Sequence, residues 1–112
     1  MAQKLYKPLL IDSIKATVDL PCNRFVDFTG NICAEGAKAY GVCDVSTDAE
    51  QLAPVGVLGV LLVEAGGTIT AGSTVTSDAN GKAITSATSQ SINGYALDDA
   101  TEGEIFRIIR GI

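Results

Sequence analysis

The segment Leu61-Leu62-Val63-Glu64-Ala65-Gly66-Gly67-Thr68-Ile69-Thr70-Ala71-Gly72-Ser73-Thr74-Val75-Thr76-Ser77-Asp78-Ala79-Asn80-Gly81-Lys82-Ala83 decides the fold. It reads as a strand, a Gly-Gly turn, a short crossing, a Thr/Val strand and a tight hairpin at Asn80-Gly81. Asn-Gly is a strong hairpin signal because a type I′ turn holds both central residues at positive φ. Thr74, Val75 and Thr76 before the turn and Ala83, Ile84 and Thr85 after it are mostly β-formers placed to pair across it. Nothing in the segment carries catalytic chemistry. It predicts an all-β fold, a compact turn-rich β-barrel or β-clip.

Outward from this segment the same texture continues. Upstream, Pro54 to Val63 is rich in Val and Leu and predicts one long buried strand, or two joined at Gly59. Ala39 to Val45 and Arg24 to Phe28 predict further strands, the latter closed by a turn at Thr29-Gly30-Asn31. Cys33 to Ala37 reads as a loop, and Ser46 to Gln51 as an acidic surface loop or one helical turn. Ile14 to Leu20 alternates apolar and polar residues, the pattern of a half-buried strand, and Pro21 ends it. Before that, Pro8 limits regular pairing, so residues 1–12 read as an extended N-terminal arm and 13–112 as a single β domain.

The domain carries a weak internal likeness. Ala39-Tyr40-Gly41-Val42-Cys43-Asp44-Val45-Ser46 lines up with Gly94-Tyr95-Ala96-Leu97-Asp98-Asp99-Ala100-Thr101. Each run leads through an acidic loop to a strand, Val55 to Val60 in one and Ile105 to Ile109 in the other. Two readings stand side by side. A duplication would give halves of about 13–63 and 64–112 with the joint near Gly66 and Gly67; common β patterning would give the same likeness without one. Two copies are too few for a solenoid, so any repeat closes on itself.

Composition limits what such a domain does. At 112 residues the chain is one domain with a modest core. Hydrophobic residues make up 46% but aromatics only 5%, so the core is aliphatic and offers few flat anchors for ring-shaped ligands. The net charge of −5 argues against nucleic acid, whose phosphates favour a basic face. The charge is uneven: up to Arg24 there are four basic residues against Asp12 and Asp19, and beyond it four basic against eleven acidic. No window approaches the length of apolar sequence a membrane helix needs, and Met1 to Ile11 lacks a signal-peptide core. The expected product is soluble and made in a reducing cytoplasm, with Cys22, Cys33 and Cys43 as small buried thiols.

The candidate sites are few. With no histidine, Ser-His-Asp and Cys-His nucleophile systems are excluded, and the usual Cys/His zinc sets are unexpected. Asp44, Asp98, Asp99 and Glu102 are the conspicuous carboxylates; an acid pair in a cleft would do general acid–base work. Their spacing fits no EF-hand, and an Asp at a strand end more often bonds its own backbone in a turn. The glycines at Gly66-Gly67 and Gly72 make no phosphate loop, since no Gly-Lys-Ser/Thr or helix follows. Lys82, beside a hairpin, is the alternative: a carrier domain modified at that lysine, though Gly81 and Ala83 do not match the flanks of carrier lysines. No cofactor or metal is expected.

The run Val63 to Ala83, the element Gly94-Tyr95-Ala96-Leu97-Asp98 and the terminal hydrophobic strand Ile105 to Ile109 resemble the small capsid cement, or head-decoration, proteins of tailed bacteriophages. The stronger match covers roughly Val57 to Ile112, and the first half matches loosely. This resemblance implies a non-enzymatic β-barrel that binds the outside of an icosahedral head, often as trimers, and stiffens the shell. The implied partner is the major capsid protein, with a homotrimer favoured, and the implied location is the virion exterior after synthesis in the host cytoplasm. Lys4, Leu5, Tyr6, Lys7, Leu9 and Leu10 pair basic with apolar groups outside the predicted barrel, and are the expected capsid or subunit contact.

Overall fold

The structure, a computed structural model, describes residues 6–112. Its elements are β1 (Lys7–Lys15), β2 (Phe25–Val26), β3 (Gly41–Cys43), β4 (Leu52–Glu64), β5 (Thr74–Ser77), β6 (Ala83–Thr85), β7 (Gly94–Ala96) and β8 (Ile105–Arg110). They form one sheet in the order β2-β3-β4-β8-β7-β5-β6, with β1 pairing β4 outside this path. Every strand pair is antiparallel. The all-β barrel expected from the sequence is the fold observed.

β4 organises the sheet. Its thirteen residues run through Gly59 without a break, and alternate residues face inward. Ala53 and Val55 enter a smaller core with Ala16, Leu20, Val26 and Cys43. Leu61 and Val63 enter the main core, which includes Phe25, Ile69, Val75, Phe106 and Ile108. One strand thus feeds both clusters, because a period-two side-chain pattern keeps its inward face constant over the whole length.

The sheet curls until its ends meet. The Phe25 amide of β2 donates to Gly81 O at 2.7 Å, and beyond β4 the Gly66 amide donates to Ala83 O at 2.7 Å. The first bond ties the two ends of the strand order to each other, and the second ties β6 to the segment after β4, so these edges are largely closed.

The hairpin at Asn80-Gly81 joins β5 and β6, with Thr76 opposite Ile84 and Val75 opposite Thr85. Its turn differs from the two-residue type I′ form. Only Gly81 has positive φ (79°), and Asp78 N donates to Lys82 O across a three-residue tip. Asp78 Oδ1 accepts from the amides of Asn80 and Lys82, so an aspartate shapes the turn that the Asn-Gly pair was expected to set.

Two further readings are corrected. The strand expected over Ile14 to Leu20 lies earlier, at Lys7–Lys15. The residues of the presumed arm from Lys7 onward are therefore paired, from Lys7 opposite Val60 to Lys15 opposite Leu52. Beyond Lys15, Ala16 and Leu20 are buried without strand pairing, apart from a bridge between Leu20 and Thr47.

The two halves repeat one hydrogen-bond pattern. In the first, Asn23 N donates to Cys43 O and Cys43 N to Arg24 O; in the second, Gly72 N donates to Ala96 O and Ala96 N to Ser73 O. Lys15 pairs Leu52 as Glu64 pairs Ile105, and the Leu20–Thr47 bridge matches Ile69–Ala100. Asp27 brackets Asn31 with the bonds by which Asp78 brackets Lys82. In this register Tyr40 is equivalent to Asn93, not to Tyr95, since their amides donate to Val26 O and Val75 O respectively. Under this correspondence β1 answers to the second half of β4, and the first half of β4 answers to β8.

Candidate functional site

The conspicuous carboxylates do not converge. Asp98 binds Arg107 in a two-pronged ion pair, with Nη2 2.8 Å from Oδ1 and Nε 3.1 Å from Oδ2. Asp99 Oδ1 accepts from the Ala71 amide at 2.8 Å and holds the crossing segment against the loop after β7. Glu102 is exposed in the turn before β8. Asp44 lies beside the buried Tyr6 hydroxyl, whose geometry falls short of a hydrogen bond. Burial foremost, and then the neighbouring carboxylate, push the Tyr6 phenol up to about 12. Asp98 and Asp99 thus hold a pairing and a turn together, the commoner use of such residues.

Lys82 is engaged as well. Glu64 lies between two cations, with Oε1 3.2 Å from Arg24 Nε and Oε2 3.3 Å from Lys82 Nζ, and all three side chains are about a quarter exposed or less. Arg24 Nη1 also donates to Asn80 O. The network clasps the β5–β6 hairpin onto β2 and β4. A lysine held in this way is not displayed for modification as a carrier lysine is.

The three cysteines are free thiols; Cys33 and Cys43 are buried and Cys22 half-buried. Burial, before any other influence, pushes the Cys33 and Cys43 thiols up. Among the described residues no three His, Cys, Asp or Glu side chains lie close enough together to hold a metal ion.

The surface offers more than the interior. β1 pairs with β4 alone among the described strands and is exposed along most of its length. Leu9 is 83% exposed, Leu10 46% and Ile11 44%, and Leu10 lies opposite the exposed Leu58 of β4. Of the contact residues expected from the sequence, Lys7, Leu9 and Leu10 stand on this strip. Tyr6 is not with them: it packs against the main core. Lys4 and Leu5 lie outside the described residues.

A cleft of about 300 Å³ begins where the strip reaches Leu58; Lys38, Ile92, Tyr95, Arg110 and Ile112 help line it. Sequence reading passed over Arg110, although the signal was present: it shares the strand parity of Phe106 and Ile108, the inward side of β8.

The solved structure of the N-terminal base of the head fibre gp8.5 in bacteriophage phi29 has this fold, with a TM-score of 0.76. The two are 21% identical, and the match covers 89% of this chain and 92% of that one. No curated protein is significantly similar. The family model described as phage cement protein matches residues 9–111, nearly the whole chain. With the helix-free barrel, the engaged carboxylates and the exposed strip of β1 in place, that match decides the assignment: the chain belongs to the phage cement protein family.

Proposed function

We propose that this protein attaches to the outer surface of a tailed-phage head and stabilises the shell, without catalysing a reaction. Membership of the cement family supports the capsid association, and the exposed apolar strip on β1 is the observation that carries the mode of attachment. Leu9, Leu10 and Ile11 stand on an edge strand whose outer backbone groups are not paired within the described sheet. Such a strand offers apolar area and backbone hydrogen bonds together, the combination used in strand addition. Lys7 adds a cation beside it. The partner is the major capsid protein, and Lys7, Leu9 and Leu10 are the contact residues.

A cement protein works by repetition. Copies joined around a symmetry axis, a trimer foremost, bind a symmetric shell through several modest contacts at once, and the second and third contacts are then effectively intramolecular. A stiff barrel suits that role, since little order is lost on binding.

Co-sedimentation with expanded and unexpanded heads of the source phage tests the reading. The protein should bind expanded heads saturably, with a copy number that reports the oligomer. Leu9→Asp together with Leu10→Ser should weaken binding at least about tenfold, because burying two leucines contributes several kcal/mol and 1.4 kcal/mol is a factor of ten. Neither leucine is in the core, so the urea midpoint should not move. Wild-type protein that binds no head, or a variant that binds as well as the wild type, overturns the proposal.

A further inference from the structure

Arg110 departs from the way this molecule treats its other partly buried arginines. Arg24 meets Glu64 and Arg107 meets Asp98, whereas Arg110 has no carboxylate partner among the described residues. Its Nη2 donates to Ala39 O at 2.9 Å, and its Nη1 is buried with no partner among the described residues. The second cation of the cleft, Lys38, donates to Ile92 O at 2.7 Å and likewise has no carboxylate partner among the described residues. Burial, then the nearby Arg110 charge, pull the Lys38 pKa down, and burial lowers that of Arg110. No Asp or Glu lines the cleft, in a chain whose net charge is −5.

The barrel does not need this arrangement. In the repeated pattern Cys43 pairs Val55 as Ala96 pairs Ile108, so the position equivalent to Arg110 is Val57. Val57 packs against the smaller core. The fold is therefore built with an aliphatic side chain at this place in one half, and a partly buried guanidinium with no carboxylate partner among the described residues in the other is a costly addition. Around the two cations stand Leu58, Ile92, Tyr95 and Ile112, so the cleft offers positive charge within an apolar rim.

We propose that this cleft receives an acidic side chain, an Asp or Glu next to an aliphatic residue, from the protein to which the chain attaches. The proposal rests on the cement reading. The cleft is continuous with the β1 strip through Leu58, which pairs with Leu10, so one partner covers both. Lys38 has donors left after its bond to Ile92 O, and Arg110 adds its charge from the more deeply buried position.

The test uses 4-methylpentanoate, a carboxylate with a short branched chain, and its neutral amide, titrated into isotope-labelled full-length protein and followed by NMR. The carboxylate should shift the Ile92 and Ile112 methyls and the Arg110 Nε–H saturably in the millimolar range; the amide should not. Arg110→Met and Lys38→Met should each weaken this binding about tenfold with the urea midpoint held or raised. The same two variants should lose about tenfold in binding to expanded heads. No shift, equal shifts with the amide, or undiminished binding by Arg110→Met overturns the site. Carboxylate binding with unchanged head binding in both variants overturns the proposed occupant. A wild type that binds 4-methylpentanoate but no heads overturns the cement reading instead.

Discussion

Gly81 and Phe25 meet backbone to backbone, and their meeting closes the barrel. The Phe25 amide donates to Gly81 O at 2.7 Å, and a Cβ placed on Gly81 would lie 2.9 Å from Phe25 O. Gly81 also has a φ of 79°, so it combines a left-handed backbone with the closest approach of the hairpin to β2. Gly81→Ala should lower stability by about 2 kcal/mol or more, since the left-handed conformation alone costs about 1–2 kcal/mol for an L side chain. Gly72→Ala is the control: its φ is 88° but nothing lies within 4 Å of the added carbon. Urea denaturation of the two variants separates backbone strain from the lost approach, and equal losses would show that the closure contributes nothing.

Asn93 ties the two halves across the core. It is 1% exposed, its Oδ1 accepts from Ala39 N at 2.9 Å, and its Nδ2 donates to Ala37 O at 2.8 Å. Asn93→Ala strands a buried donor, Ala39 N, and a part-buried acceptor, Ala37 O, and an unmet buried group costs about 1–3 kcal/mol. The variant should lose about 2–4 kcal/mol in a urea titration. A loss under 1 kcal/mol would mean that water replaces the amide.

Much of this architecture was legible in the sequence, for a physical reason. The Val- and Leu-rich run from Pro54 to Val63 and the turn residues between Gly66 and Gly81 report burial and backbone conformation directly: the run is one continuous strand, the first of its two expected forms, and the hairpin stands where expected with a different turn type. β1 was not legible as a strand. Lys-Pro-Leu-Leu-Ile-Asp-Ser-Ile-Lys lacks a period of two because neither face is deeply buried, and its conformation is set by pairing with β4 instead. The internal register was misread because Tyr40 and Tyr95 look alike. Their roles differ: Tyr95 is paired inside the sheet with Ile109, and the Tyr40 ring lies tilted against Phe28 beside the smaller core. The cationic cleft escaped because the hydrophobic strand expected over Ile105 to Ile109 stops one residue short of Arg110, which the structure includes in β8.

The cysteines make a labelling prediction. Cys33 and Cys43 are 0% exposed, and burial raises both thiols, so neither supplies an accessible thiolate near neutral pH. Cys22 is half-buried. A thiol-reactive dye should label one cysteine quickly in the native protein and all three in urea. Peptide mapping should place the first label on Cys22. Rapid native labelling of Cys33 would show that the main core opens locally.

Glu64 gives the fold an acid-sensitive clasp. Burial opposes its ionisation, but the hydrogen bonds and charges of Lys82 and Arg24 together outweigh burial and hold its carboxyl below the usual range. A carboxyl with a lowered native pKa contributes stability that is complete above its unfolded value, about 4.3, and is lost as pH falls through the native value. Glu64→Gln removes that contribution and leaves Arg24 and Lys82 facing each other without a counter-charge. At pH 7 the variant should be less stable by on the order of 1 kcal/mol, the modest size expected of a partly solvated pair. The difference should shrink below about pH 4, as the wild-type carboxylate takes up its proton. Urea midpoints at pH 7, 5, 4 and 3 check the sign. A difference that stays constant, or widens in acid, would mean that Glu64 acts through packing and that the hairpin is held by Gly81 and Asp78 alone.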